Sequence, residues 1–219
     1  MGSSIPNPAG VLFPCSYAMA ASKSVPLWGG ALACNLPEDA GDISQIREVP
    51  DHQEVWVLPG DQSVIFELLE RQDVSDSDAP SFFWDDLMDT NDVATADGEI
   101  TLQEVAPRSL APQLYTADTP DTQVILVTGT QKIAKFKEDG KNIVAIFMAI
   151  IRIPKVDTDL LLTWNAPVQV AATSSSAAAF IEEAHEDSDL AYSTAKAGFI
   201  QAVKSLTIHD WSLFGGADA

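Results

Sequence analysis

The chain has 219 residues and a formal net charge of −20, with 12 lysines and arginines against 32 aspartates and glutamates. Hydrophobic residues make up 46% of it and charged residues 20%, which suits one globular domain and argues against disorder throughout. A surface this acidic repels phosphate backbones, so the charge argues against nucleic acid as a partner and is compatible with docking to a basic protein surface.

The N-terminal residues differ in composition from the rest of the chain. Residues 1–24 contain three prolines, a single basic residue and no acid. We expect residues 1–24 to form a disordered extension and residues 25–215 to form a single domain. The segment has neither the basic start of a secretory signal nor the arginines of a transit peptide, although organelle import stays open as an alternative. No apolar run reaches the roughly 20 residues that span a bilayer, so we expect no membrane insertion.

Four elements are predicted in the first half of the chain. Residues 27–36 suggest a strand in which Gly29-Gly30 marks either a bulge or a close backbone approach. Residues 54–58 suggest a strand that ends at Pro59-Gly60. Residues 63–72 fit either a strand or a helical turn, and Val64, Ile65 and Phe66 favour the strand. A helix is predicted to begin at Asp78-Ala79-Pro80, because proline is favoured in the first helical turn.

The second half is rich in β-strand patterns and ends in a helix. Strands are predicted at 99–105, 123–136, 142–153 and 158–165, the last two as a hairpin whose continuous hydrophobicity indicates a sheet covered on both faces. Residues 171–187 suggest a loop or frayed helix. A helix at 188–206 presents one apolar stripe, formed by Tyr192, Ala195, Phe199, Val203 and Leu206. Together the elements predict an α/β sandwich with a mainly antiparallel sheet flanked by helices.

A search for catalytic or metal-binding motifs finds none. The sequence lacks a phosphate-binding loop, a dinucleotide fingerprint, a nucleophile elbow and a zinc-protease motif. Its three histidines lie far apart, and its two cysteines form no C-x-x-C pair. Asp157-Thr158-Asp159 has a spacing that can chelate a cation, but aspartates also commonly serve a turn before a strand. We therefore predict a monomeric adaptor without catalytic centre, cofactor or metal.

The charges are unevenly distributed along the chain. Residues 67–104 contain twelve acids and one base, whereas residues 132–155 contain six bases and two acids. One interpretation is an acidic docking face opposite a basic edge. The alternative is a solvated helix together with lysines that protect an edge strand from aggregation.

Four stretches, in order, resemble the Ran guanine nucleotide release factor family, the Mog-type Ran-binding proteins. They are Pro26-Leu-Trp-Gly-Gly-Ala-Leu; Ile46-Arg-Glu-Val-Pro-Asp-His-Gln-Glu-Val55; Ser63-Val-Ile-Phe-Glu-Leu-Leu-Glu70; and Thr158-Asp-Leu-Leu-Leu-Thr163 paired with Ser205-Leu-Thr-Ile-His-Asp-x-x-Leu-Phe214. The resemblance implies an α/β/α sandwich shared with the PsbP proteins of photosystem II. It also implies binding to Ran, release of its nucleotide, support of nuclear import, and a location in nucleus and cytoplasm.

The resemblance places the Ran contact on the acidic pair of the third stretch, which here is Glu67 and Glu70. The second stretch adds further candidates, Asp51 first and then Arg47, Glu48 and Glu54. If residues 63–70 form a continuous strand, positions 67 and 70 face opposite sides, whereas a helical turn would put them on one face. The alternative function is that of a PsbP-like structural subunit of a photosynthetic complex in the thylakoid lumen.

Overall fold

The computed structural model describes residues 21–134, 140–171, 173–174 and 188–215. The predicted N-terminal extension lies outside these ranges up to residue 20, and residues 22–24 form the start of a strand instead. Most of the predicted loop at 171–187 also lies outside them.

The described part of the chain forms ten β-strands and two α-helices. The strands are β1 (Ser22–Leu27), β2 (Leu32–Pro37), β3 (Gly41–Asp42), β4 (Gln53–Leu58), β5 (Gln62–Glu70), β6 (Gly98–Val105), β7 (Gln123–Ala134), β8 (Lys141–Ile153), β9 (Thr158–Gln169) and β10 (Thr207–Ile208). The helices are α1 (Ala79–Thr90) and α2 (Ser188–Ser205). Helix α1 begins with Pro80 in its first turn, as predicted.

A seven-stranded antiparallel sheet forms the centre of the fold, in the order β3-β4-β5-β9-β8-β7-β6. One hydrophobic cluster joins one face of this sheet to α2 and to the small sheet β1-β2-β10. A second cluster joins the other face to α1. Both faces are covered, which explains why β8 and β9 are apolar almost without interruption. The predicted sandwich with a mainly antiparallel sheet is confirmed.

The predicted apolar stripe packs α2 onto the sheet. Ala195, Phe199 and Val203 are buried, and the Phe199 ring stacks on Phe147 of β8 with centroids 5.8 Å apart. The helix ends at Ser205, one residue before the fully buried Leu206 at the end of the predicted stripe. Neither described helix is long and apolar enough to cross a membrane.

The prediction of one bulged strand at residues 27–36 is wrong, because the chain reverses direction there. Trp28, Gly29 and Gly30 have φ angles of 46°, 66° and 97°, all in the left-handed region. Three such residues in succession turn the chain, so β1 and β2 form an antiparallel hairpin in which Leu27 pairs with Leu32. Glycine is favoured at positions 29 and 30 because it adopts positive φ without steric cost.

Candidate functional site

Strand β5 is continuous from Gln62 to Glu70, and this places Glu67 and Glu70 on opposite faces of the sheet. Phe66 is fully buried in the cluster under α2, whereas Leu69 packs against the cluster under α1. Since side chains alternate along a strand, Glu67 faces the α1 side and Glu70 the α2 side. A single patch made of both side chains is therefore ruled out.

Glu67 is a half-buried carboxylate with a fixed position on the α1 side. It pairs with Gln53 across β4 and β5, and the Gln53 Nε2 donates a hydrogen bond of 2.6 Å to the Glu67 Oε1. Burial raises the pKa of the Glu67 carboxyl, and the negative charge of Asp86 on α1 raises it further, while the Gln53 bond and His52 partly offset the effect. The carboxylate is thus held in place and incompletely neutralised by its own protein.

Glu54 points to the other side of the sheet, because it pairs with Phe66. Its Oε1 accepts a hydrogen bond of 2.6 Å from the backbone N–H of Trp28 in the β1–β2 turn. Burial raises the pKa of the Glu54 carboxyl, and the Trp28 N–H bond opposes this rise. One oxygen of Glu54 is therefore directed at its own chain.

The other candidates lie in the segment before β4. Asp51 is exposed, and its backbone carbonyl accepts a hydrogen bond of 3.0 Å from the indole Nε1 of Trp28. Arg47 and Glu48 are exposed on the loop that follows the short 3-10 turn Ile43–Gln45, next to Ile46, which is 79% exposed.

Strand β4 begins and strand β5 ends at the same end of the large sheet. We call this the acidic end and define it by Asp51, Glu54, Glu67 and Glu70. The structure places these four residues there, on two faces, because Gln53 of β4 pairs with Glu67 near the end of β5. Arg47 and Glu48 belong to the neighbouring loop and are not held by β5.

The sequence interpretation missed a buried ion pair beside the acidic end. Arg152 of β8 and Asp159 of β9 are both fully buried, and the Arg152 Nε lies 3.1 Å from the Asp159 Oδ1. Arg152 also donates to the carbonyl oxygens of Gln72 and Val74, at 2.7 Å each, and to Asp76 at 2.9 Å. The sequence does contain a signal for this pair, namely a single arginine in an apolar run. Arginine is almost never fully buried unless it is paired, so such an arginine indicates a buried acidic partner.

The possible cation site at residues 157–159 is explained by this network. The Asp159 Oδ2 accepts a hydrogen bond from the Gln72 N–H at 3.0 Å, so both of its oxygens are used internally. Asp157 has φ 47° and closes the turn before β9, which is the other role considered for it. Among the described residues, no group of three or more His, Cys, Asp or Glu is arranged to hold a metal ion.

The predicted contrast between an acidic face and a basic edge is only partly present. Arg152 is buried, and the Nζ atoms of Lys132 and Lys141 lie 3.8 Å and 2.5 Å from Asp97, which belongs to the acidic stretch. Of the four of these bases that lie within the described residues, three are thus paired with the protein's own acids. The acidic end remains the candidate site.

Comparisons with known proteins identify the family. A family model described as the Ran-interacting Mog1 protein matches residues 25–167. The Ran guanine nucleotide release factor of Danio rerio is 38% identical over 161 residues, covering 73% of this chain and 86% of the relative. That of Homo sapiens is 33% identical over 199 residues, covering 90% and 99%.

A solved structure agrees with these sequence relatives. The crystal structure of the Saccharomyces cerevisiae Ran-binding protein Mog1p matches with a TM-score of 0.62 and 26% identity, covering 89% of this chain and 99% of that one. The resemblance carried by the four ordered motifs is therefore confirmed. The chain belongs to the Mog1 family of Ran-interacting proteins.

Proposed function

We propose that this protein binds the GTPase Ran and promotes release of its bound guanine nucleotide, in support of nuclear protein import. Relatives in Danio rerio and Homo sapiens are named Ran guanine nucleotide release factor, and one in Saccharomyces cerevisiae is named nuclear import protein MOG1. These names support the Ran function over the alternative of a lumenal photosynthetic subunit. A protein with this role acts where Ran does, in the nucleus and the cytoplasm.

Such a regulator works through binding and needs no catalytic centre of its own. A GTPase holds its nucleotide through a phosphate-loop lysine, Mg²⁺ and ordered switch segments. A partner that binds the nucleotide-free form more tightly shifts the equilibrium towards release, by as much as its affinities for the two forms differ. A carboxylate of this protein would compete for the lysine or for Mg²⁺.

The observation that carries the proposal is the environment of Glu67. Its carboxylate is fixed by Gln53 at 2.6 Å and is partly removed from water, so little side-chain freedom remains to be lost on binding. Burial raises the pKa of the Glu67 carboxyl, and the negative charge of Asp86 nearby raises it further. A cationic group of a partner would relieve this, which favours a basic partner surface on the α1 side.

Glu70 and Asp51 have supporting roles in this proposal. Both are exposed, and Glu70 lies on the α2 side at the end of β5. Exposed charges at the rim of an interface mainly affect the rate of association and contribute little affinity. We therefore assign the main contact to Glu67.

A nucleotide-exchange assay tests the proposal directly. Ran loaded with a fluorescent guanine nucleotide is mixed with an excess of this protein, and loss of fluorescence is followed. We expect faster release with the natural sequence and none with the double variant Glu67→Lys plus Glu70→Lys. The matched control is Glu99→Lys plus Glu104→Lys, which makes the same charge change on the exposed strand β6 at the other edge of the sheet.

The control variant should release nucleotide as the natural protein does. If the natural protein neither accelerates release nor captures nucleotide-free Ran in a pull-down, the proposed function is wrong. If both double variants release nucleotide equally slowly, the activity depends on the net charge of the protein and not on the acidic end.

A further inference from the structure

We propose that Glu54 and Trp28 are positioning residues that fix the Asp51 turn at the acidic end, and that Glu54 does not itself contact Ran. The inference rests on the proposed function. It assigns different roles to two glutamates from neighbouring sequence motifs. Glu67 contacts Ran, whereas Glu54 positions the Asp51 turn through Trp28.

The unusual backbone of Trp28 is the first observation. A φ of 46° is rare for a bulky side chain and persists only where the surroundings fix it. Glycines at positions 29 and 30 allow the turn to continue in the left-handed region. Two hydrogen bonds to distant residues then hold Trp28, one donated by its backbone N–H and one by its indole N–H.

These bonds connect the β1–β2 turn to a segment that lies 23 to 26 residues further along the chain. The Glu54 carboxylate accepts from the Trp28 backbone N–H at 2.6 Å, a charge-assisted bond of short length. The Trp28 indole N–H donates to the Asp51 carbonyl at 3.0 Å. Because the indole also packs on the cluster under α2, the Asp51 turn is tied to the core through Trp28.

The opposite side of the same turn is held by β4 and β5. The Gln53 N–H donates to the Pro50 carbonyl at 2.8 Å, and the Leu68 N–H donates to the His52 carbonyl at 2.9 Å. Trp28 therefore supplies the support on the remaining side. Without it, Asp51 would lose its fixed place at the acidic end, although the β4–β5 pairing would remain.

The side chain of Glu54 is poorly placed for the contact assigned to Glu67. Glu54 faces the α2 side of the sheet, whereas Glu67 faces the α1 side. A glutamine at position 54 would keep an acceptor oxygen for the Trp28 N–H but carry no charge. If Glu54 acts by positioning Trp28, glutamine can replace it. If Glu54 instead makes an ionic contact with Ran, glutamine cannot.

The test compares Glu54→Gln, Glu54→Ala and Trp28→Phe in binding to nucleotide-free Ran. Because Asp51 is an exposed rim charge, loss of its fixed position should weaken binding by no more than about fivefold in Glu54→Ala. Glu54→Gln should recover most of that loss. Trp28→Phe keeps a ring but loses the indole donor, and should weaken binding about fivefold.

Two further measurements separate positioning from general damage to the fold. The ¹H–¹⁵N resonance of the Trp28 indole, assigned by its absence in Trp28→Phe, should shift in Glu54→Ala and stay in place in Glu54→Gln. The combined variant Trp28→Phe plus Glu54→Ala should weaken Ran binding by a smaller factor than the product of the factors for the two single variants, because both residues act through one turn.

The inference is overturned if Glu54→Gln binds as weakly as Glu54→Ala while its indole resonance is unchanged. It is equally overturned if Glu54→Ala folds and binds Ran like the natural protein. Should Glu54→Ala fail to fold, the comparison of Glu54→Gln with Trp28→Phe decides in the same way. A natural protein without activity would contradict the proposed function, whereas an active natural protein with an inactive Glu54→Gln contradicts only this inference.

Discussion

The guanidinium of Arg152 and the carboxylate of Asp159 lie 3.1 Å apart with no exposure to solvent. Burial of two charges is tolerated only when hydrogen bonds satisfy the remaining donors and acceptors. Here the carbonyls of Gln72 and Val74 and the carboxylate of Asp76 complete the set. The pair therefore ties the β8–β9 hairpin to the connection between β5 and α1, next to the acidic end.

Arg152→Met should destabilise the protein strongly. The substitution leaves Asp159 buried without its charge partner, which typically costs about 3–5 kcal/mol of unfolding free energy. Urea denaturation followed by circular dichroism measures the loss. Lys155→Met, in the exposed turn between the same two strands, is the control and should change stability by less than about 0.5 kcal/mol.

A second substitution shows whether the unpaired charge is the cause. Arg152→Met combined with Asp159→Leu removes both charges, so it should be more stable than Arg152→Met alone. If Arg152→Met lowers the free energy of unfolding by less than about 1 kcal/mol, the role assigned to the buried ion pair is contradicted. A loss of that size is expected from an ordinary hydrogen bond alone.

Glu67→Lys and Glu70→Lys should differ in their effects on Ran. The two side chains lie on opposite faces of the sheet. Within the described part of the chain, the Glu67 carboxylate is held by a hydrogen bond from Gln53, whereas Glu70 is exposed. We expect Glu67→Lys alone to remove nucleotide release, and Glu70→Lys to lower it by a factor of about five or less, as for an exposed rim charge. The exchange assay measures both, with Glu99→Lys as control. Equal loss from the two single variants would contradict this assignment.

Much of the fold follows from sequence patterns, and the errors have local physical causes. The continuous apolar runs of β8 and β9 predicted a sheet covered on both faces, because no exposed face could tolerate them. At Trp28 the pattern was misleading, since apolar residues on both sides of Gly29-Gly30 fit a bulged strand as well as a hairpin. Only the backbone angles show three left-handed residues there.

The site was less predictable than the fold. Family motifs located Glu67 and Glu70, but their spacing fits both strand and helix, and the face of each depends on the register of β5 with β9. The link between Glu54 and Trp28 spans 26 residues and depends on how the β1–β2 hairpin meets β4. Composition and periodicity carry no information on such contacts between distant segments.

Glu67→Gln should make the protein more stable at neutral pH. Burial raises the pKa of Glu67 above its ordinary value of 4.5, so its protonated form is favoured in the folded state. The stabilisation linked to this carboxyl is fully present below pH 4.5 and is lost as the pH rises through the raised pKa. Glutamine stays neutral at every pH and can still accept the Gln53 hydrogen bond.

The free energy of unfolding of Glu67→Gln should thus exceed that of the natural protein at pH 7, and the difference should vanish towards pH 4.5. Urea denaturation at several pH values measures it, with Glu99→Gln as the control. The same variant should bind Ran more weakly, which would show a group retained for binding at the expense of stability. Lower stability of Glu67→Gln at pH 7 would contradict the prediction.

Gly198→Ala should destabilise the protein, although alanine normally stabilises a helix by roughly 1 kcal/mol relative to glycine. A Cβ at position 198 would lie 2.6 Å from the Cη2 of Trp164, whose ring is buried between α2 and the sheet. Overpacking of this kind costs about 1–3 kcal/mol and therefore exceeds the gain in helix propensity. Thermal or urea unfolding measures the net sign.

The ring of Trp164 offers a direct check of that cause. All three atoms that the new Cβ would approach belong to the six-membered part of the indole, at 2.6–3.3 Å. In a Trp164→Phe background the clash should be relieved, so that Gly198→Ala becomes neutral or stabilising there. If Gly198→Ala costs the same in both backgrounds, the close approach of α2 to Trp164 does not explain the glycine.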